Sequence, residues 1–215
     1  MIPDWAEERR RMVNDQLRRR GIRDERVLEA MARIPREEFV PAEARVSACV
    51  DAPVAIGYGQ TISQPFMTAL MAAELRLTGT ETVLEVGAGS GYAAAVLGTL
   101  AERVIAVEIV PELAAIAAEN LRRTGCGGNV TVMCADGSMG RQEFAPYDAI
   151  SVAAAAPEIP PALLEQLKDP GRIVIPVGDW DDQELRIVAR HDGRLESSTA
   201  TLCRFVPLRG GGGWR

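Results

Sequence analysis

The sequence predicts an α/β fold: a doubly wound, mostly parallel, seven-stranded Rossmann-like sheet with an antiparallel C-terminal hairpin and an N-terminal helical extension. Three observations carry this expectation. Thr82–Val86 is a short, apolar, β-branched run, the pattern of a strand buried on both faces. Gly87, Gly89 and Gly91 break that run, and residues 92–100 then have helical composition. Residues 104–107 form a second apolar run, closed by Glu108. Strand, glycine loop, helix, strand and acid in this order make the first half of a nucleotide-binding sheet.

The glycine spacing narrows the ligand. A dinucleotide fingerprint is G-x-G-x-x-G, with a pyrophosphate at the helix N-terminus. Here the spacing is Gly87-x-Gly89-x-Gly91, preceded by Glu85. A carboxylate at the loop mouth is a poor neighbour for phosphate and a good one for an ammonium or a sulfonium. Glu108 stands 21 residues after Gly87, at a strand tip where a carboxylate can take both ribose hydroxyls. The combination reads as binding of S-adenosyl-L-methionine, with S-adenosyl-L-homocysteine as product. Glu85, Gly87, Ala88, Gly89, Ser90, Gly91 and Glu108 are the candidate cofactor residues. The bland alternative is a glycine-rich turn without a ligand.

The remaining elements follow in chain order. Residues 5–20 look helical, with Gly21 as C-cap. Asp24 can cap a second helix whose apolar residues Val27, Leu28, Met31 and Ile34 share one face. The arginines of residues 9–11 and 18–20 alternate with acids and read as a solvated surface. Residues 53–65 form a polar, glycine-containing loop before a helix over 66–77. In it Ser63 or Gln64 can be the N-cap, with Pro65 near the first turn. On local pattern alone Ser63 is either a cap or a functional residue.

Beyond Glu108, residues 111–123 read as a helix and 129–133 as the third strand. Asp136-Gly137 follows that strand at its carboxyl end, where ligands bind in such sheets, and joins the cofactor candidates. Tyr147–Val152 is the fourth strand, 161–168 a short helix and 172–177 the fifth strand. Residues 184–190 and 194–206 flank the turn His191-Asp192-Gly193 and read as the antiparallel hairpin. The expected organisation is one domain over 1–215. It divides into a helical extension and substrate-side loop (1–65), a Rossmann-like core (66–208) and a flexible glycine tail (209–215).

Composition limits the function. Charged residues make up 25% and hydrophobic residues 47% of the 215, which is ordinary for a soluble globular chain. A formal net charge of −6 argues against a broad grip on nucleic acid. No apolar run approaches the ~20 residues of a membrane span, and no apolar leader opens the chain. Cys49, Cys126, Cys134 and Cys203 lack C-x-x-C spacing, and His191 is the only histidine. They read as reduced thiols, with no metal site. The expectation is a cytoplasmic, metal-free protein, acting as a monomer.

Four stretches together resemble the protein-L-isoaspartate (D-aspartate) O-methyltransferase family: residues 56–65 (IGYGQTISQP), 83–92 (VLEVGAGSGY), 154–160 (AAAPEIP) and 204–208 (RFVPL). The first and third are far more specific than the glycine loop, which many methyltransferases share. The resemblance implies a seven-stranded methyltransferase fold. It also implies methylation of the abnormal carboxyl of L-isoaspartyl and D-aspartyl residues in damaged proteins or peptides, which starts repair through a succinimide. Ser63 matches the family's motif serine and is implied as the active-site residue. Thr61, Ile62, Phe205 and Val206 are implied at the substrate. Some relatives methylate ordinary aspartate to form aspartimide, the alternative reading.

Three residues depart from the family pattern: Cys49 and Ser138, where an aromatic is common, and Ala153, where Thr or Gly is. All are expected near the cleft and bear on substrate range. Rival classes fit less well. A base methyltransferase would carry an Asp/Asn-Pro-Pro-aromatic loop after the fourth strand, where residues 153–157 read AAAAP. A catechol-type enzyme would need an Asp/Asn cluster for Mg²⁺. A non-catalytic binding module would be expected to lose Glu85 or a loop glycine.

Overall fold

The computed structural model describes residues 3–214. Helix α1 (Trp5–Arg11) starts at Asp4, whose carboxylate accepts from the Glu7 amide. The helix expected over 5–20 changes winding part-way: Met12–Arg18 form π turns. The helical stretch stops at Arg18, with Arg19 as its C-cap, two residues before the expected Gly21, which turns the chain at φ +99° as the Ile22 amide reaches back to the Leu17 carbonyl. α2 (Glu25–Arg33) is capped by Asp24 and buries Val27, Leu28 and Met31.

The stretch expected as a loop instead contains a small hairpin, β1 (Val54–Gly57) and β2 (Gln60–Ile62). Val54 and Ile56 point inward in alternation, and Tyr58 and Gly59 turn the chain with positive φ. α3 (Pro65–Glu74) follows, with proline at its first position.

The main sheet is built from the apolar runs. β3 (Thr82–Val86), β4 (Arg103–Glu108), β5 (Val130–Cys134), β6 (Tyr147–Val152) and β7 (Leu167–Gly178) are parallel. β8 (Gln183–His191) and β9 (Arg194–Cys203) close it as the antiparallel hairpin. The strand order is β5-β4-β3-β6-β7-β8-β9. α4 (Tyr92–Gly98) and α5 (Pro111–Thr124) make the crossovers beside β4, and α6 (Pro161–Glu165) precedes β7.

Strand residues alternate between two apolar layers, as a period of two requires. Val83, Val104, Ala106 and Val174 pack with the N-terminal helices, α3 and α4. Leu84, Val86, Ile105, Ile150 and Ile173 pack on the other side with Leu163 and Leu167. The strand order reverses at β3, so a crevice opens beyond the carboxyl ends of β3 and β6.

Several further boundaries differ from the sequence expectation: the helix expected over 66–77 ends at Glu74, that expected over 92–100 ends at Gly98, and the strand expected from 172 starts at Leu167. α6 stops at Glu165, because the Tyr147 amide takes the Gln166 carbonyl and Leu167 is already buried beside Tyr147. β9 stops at Cys203: the Phe205 amide donates to Gln183 Oε1 at 2.7 Å, and residues 206–208 cross to pair with Ala155. The segment expected as a flexible tail is hydrogen-bonded back onto the fold. The Gly211 amide donates to Asp136 Oδ2 (2.8 Å), the Gly212 amide to Ser138 Oγ (2.9 Å) and Trp214 Nε1 to the Ala155 carbonyl (3.0 Å). Trp214 also stacks on Trp180, ring centres 5.2 Å apart. Glycine serves close approach there: a Cβ on Gly210 would stand 2.1 Å from Asp136 Oδ1.

Candidate active site

Two adjoining clefts occupy the crevice. The first runs from Gly87 and Gly89 past Glu108 and Ile109 to Gly137. Its other wall is Val206 to Arg209, the segment that crosses from β9. The second is lined by Ser63, Gln64, Phe66 and residues 201–206. Thr61, Ala153 and Val206 line both.

Local folding places the loop. The Gly87 and Ala88 amides both donate to the Val107 carbonyl (2.8 and 3.1 Å), which folds the chain back over the end of β4. Gly89 follows at φ +55°, and Gly91 caps α4 at φ +89°. Ser90 is buried, and its carbonyl accepts from Asn120. Ala88, Ser90 and Ile62 line a small recess that joins the loop to Ser63.

The acids do different work. Glu108 Oε2 accepts the Gly89 amide at 2.8 Å, and its Oε1 accepts the Val110 amide at 3.0 Å. It braces the loop and still faces the first cleft. Glu85 lies beneath the loop, where the sequence expectation put it at the mouth. It faces the layer of Val83, between the small neighbours Ala106 and Ser151, and is 0% exposed. Neither carboxylate oxygen has a hydrogen-bond partner. Burial, and then the Glu108 charge, hold its carboxyl well above the usual carboxylate range. Asp136 is committed to the fold: it accepts from Ser138 and Gly211, and only Gly137 of that pair lines the cleft. Burial opposes ionisation of Asp136, but those hydrogen bonds outweigh it and lower its pKa.

Ser63 follows β2 and precedes α3. Gln64, not Ser63, occupies the N-cap position, and no side chain caps the helix there. The amide of Phe66 goes instead to Asp51 Oδ1 at 3.3 Å. Asp51 also pairs with Arg20, whose guanidinium lies 3.5 Å above the Phe66 ring. Arg20 and Arg204 both line the second cleft, Arg204 being paired in turn with Asp181 at 3.3 Å. Phe205 and Val206 complete its wall.

Of the three unusual residues, Ala153 lies at the centre, shared by both clefts and the recess beside Ser63. Cys49 and Ser138 line neither cleft. The Cys49 carbonyl is held by Gln16, and burial pushes its thiol up to about 11. Ser138 is covered by the C-terminal segment.

The sequence model of the protein-L-isoaspartate(D-aspartate) O-methyltransferase family matches residues 7–212. The chain belongs to this family. A protein-L-isoaspartate O-methyltransferase 2 of Marinobacter nauticus is 54% identical over 213 residues, 98% of this chain and 97% of that one. A solved protein-L-isoaspartate O-methyltransferase superposes with a TM-score of 0.82 at 31% identity, over 94% of this chain and 66% of its own longer one. A Plasmodium falciparum protein solved under the same designation, in complex with S-adenosyl-L-homocysteine, gives 0.81 at 27% identity, over 94% and 98%.

In this member of the family, sequence reasoning missed Asp51 and Arg36. Asp51 takes the Phe66 amide where a side-chain cap from Ser63 or Gln64 was open, and its acid lies 15 residues before that amide. Arg36 sits in the run Arg36-Glu37-Glu38, which reads as solvated, yet Arg36 is 0% exposed. No local pattern flags either.

Proposed function

We infer that the chain transfers a methyl group from S-adenosyl-L-methionine to the free carboxyl of L-isoaspartyl and D-aspartyl residues in damaged proteins. The methyl ester formed starts repair through a succinimide. The observation that carries this reading is the place of Ser63: its hydroxyl has no partner among the described residues, and it faces the recess joining the two clefts.

The residues fit this cofactor. The first cleft has a glycine floor and an acid at its side, and beneath it lies a buried acid with two unpaired oxygens. That suits a sulfonium and an ammonium better than a phosphate. When bound, S-adenosylmethionine supplies an electrophilic methyl group whose leaving group is a neutral thioether. Gly87, Gly89 and Glu108 are proposed to hold the adenosyl half and Ala88 and Ser90 the end near Ser63. Glu85 is proposed to act from below, through the two unpaired oxygens it keeps beneath the glycine floor.

The second cleft takes the peptide. Arg20 and Arg204 line it, each also paired with an acid outside the lining; Thr61, Phe205 and Val206 frame it, and Ile62 lines the recess beside it. A carboxylate of pKa near 4 is ionised at pH 7, so no general base is required. His191 agrees with that. It is exposed, at the opposite end of β8 from Gln183, the residue that holds Phe205. Ser63 donates a hydrogen bond to one carboxylate oxygen and leaves the other aimed at the methyl carbon. Proximity and in-line orientation then supply most of the acceleration, for which magnitudes reach roughly 7–11 kcal/mol. Opposite charges neutralise in the transition state, so exclusion of water between Ala153 and Val206 helps. One chain suffices, since one chain lines both clefts. A cytoplasmic monomer that does not use nucleic acid is the matching proposal.

The test is methyl transfer from labelled cofactor to matched Asp, isoAsp and D-Asp peptides. Labelling of the isoAsp peptide, with weaker or equal labelling of D-Asp and none of Asp, is expected. Labelling of the Asp peptide alone overturns the reading. For the cofactor, Glu108→Ala should weaken binding by about 1.5–3 kcal/mol, the range for hydrogen bonds to a charged group, or roughly tenfold to over a hundredfold in Kd. Calorimetric titration with S-adenosylhomocysteine measures it. Unchanged affinity in the folded variant would remove Glu108 from the site.

A further inference from the structure

The Ser63 hydroxyl makes no hydrogen bond to a described residue, so its position is set through the backbone. The Ser63 carbonyl accepts from Arg36 Nη2 at 2.6 Å. Arg36 Nε donates to the Ala48 carbonyl, also at 2.6 Å. The guanidinium lies over the ring of Tyr92, 4.7 Å from its centre. Tyr92 is the residue directly after Gly91, the first of α4, and is itself buried against Phe39 and Met31. One planar side chain therefore touches the serine, the N-terminal layer and the root of the glycine loop.

This arrangement is an expensive way to fill space. Arg36 is fully buried, its Nη1 has no partner, and the adjacent Glu37 is engaged by Arg9 instead. A buried cation without a carboxylate pays desolvation that an apolar side chain of similar volume would avoid. What the arginine supplies, and an apolar residue does not, is a rigid fork of donors on a flat face.

We propose that Arg36 is a positioning residue for methyl transfer: it clamps the Ser63 carbonyl and rests on Tyr92, so that the serine and the cofactor loop keep a fixed register. This rests on the reading of Ser63 above. Misplacement of about 1 Å in such a register can cost roughly a hundredfold in rate. The guanidinium itself does not reach the reacting atoms; it acts through Ser63.

A double-mutant cycle tests it, with Arg36→Lys, Ser63→Ala and the pair, reading kcat, cofactor affinity and melting. Lysine keeps the charge and one donor but loses the fork. Arg36→Lys is expected to lower kcat tenfold or more and to change cofactor Kd less than threefold. In the Ser63→Ala background the same substitution should change kcat less than twofold, because the hydroxyl it aligns is gone. An equal loss in both backgrounds overturns the proposal, as does a lysine variant that melts lower and turns over normally. If Ser63→Ala alone keeps full turnover, the Ser63 reading fails first and the proposal falls with it. Should the lysine variant not fold, Tyr92→Leu removes the face under the guanidinium, keeps both of its hydrogen bonds, and carries the same cycle with the same expected outcomes.

Discussion

Ser63→Ala should fold normally, bind S-adenosylmethionine as the parent does, and lose roughly tenfold to over a hundredfold in turnover. The size follows from removing one hydrogen bond to an ionised group, about 1.5–3 kcal/mol. The selectivity follows from position. Ser63 lies between β2 and α3, outside the glycine loop, and lines the peptide cleft. A lost helix cap would cost about 1 kcal/mol of stability. Ser63 makes no such cap, since Gln64 holds that position and Asp51 takes the Phe66 amide. Melting should therefore stay within a degree or two of the parent while kcat falls. A variant with parental turnover on an isoaspartyl peptide would make Ser63 purely structural. It would direct attention to Ala153, the unusual residue that both clefts share.

Gly89→Val should abolish measurable cofactor binding in a chain that still folds. Gly89 stands at φ +55°, a region that a β-branched residue enters only with strain. A Cβ there would also press on Ile56 Cδ1 at 3.2 Å. The loop must shift, and the shift breaks the 2.8 Å bond from the Gly89 amide to Glu108. The strain is of order 1–3 kcal/mol, which a sheet buried on both faces tolerates. β3 and β4 pair through five residues each that the substitution does not touch. Titration calorimetry beside a circular-dichroism melt separates the outcomes. Normal cofactor affinity would mean that this loop does not hold the cofactor. Loss of the melt itself would mean that the loop is needed for folding.

The sheet was legible in the sequence because its signals are local. Apolar runs at Thr82–Val86 and 104–107, broken by Gly87, can only be buried strands with a tight turn between them, and the seven strands followed in order. That Glu108 and the glycine loop share one end of the sheet was legible for the same reason; that the carboxylate braces the loop through the Gly89 amide came only from the structure. The family motif around Ser63 marked a functional serine, while its local pattern left a cap equally open. Tertiary contact removed the cap, by placing Gln64 at that position and supplying Asp51 from another segment.

Other features had no local signature at all. Glu85 reads as a loop-mouth acid, but strand alternation turns it under the sheet between Ala106 and Ser151. The glycines of residues 210–213 read as a loose tail; packing against Asp136 and Ser138 uses their lack of a side chain for close approach instead. Arg36 looks like one more surface charge until two carbonyls and an aromatic face, from residues 12, 27 and 56 positions away, enclose it. Periodicity reports which face of an element is buried. It carries no information about which distant backbone groups will need a donor, and that need is what places a charge inside this protein.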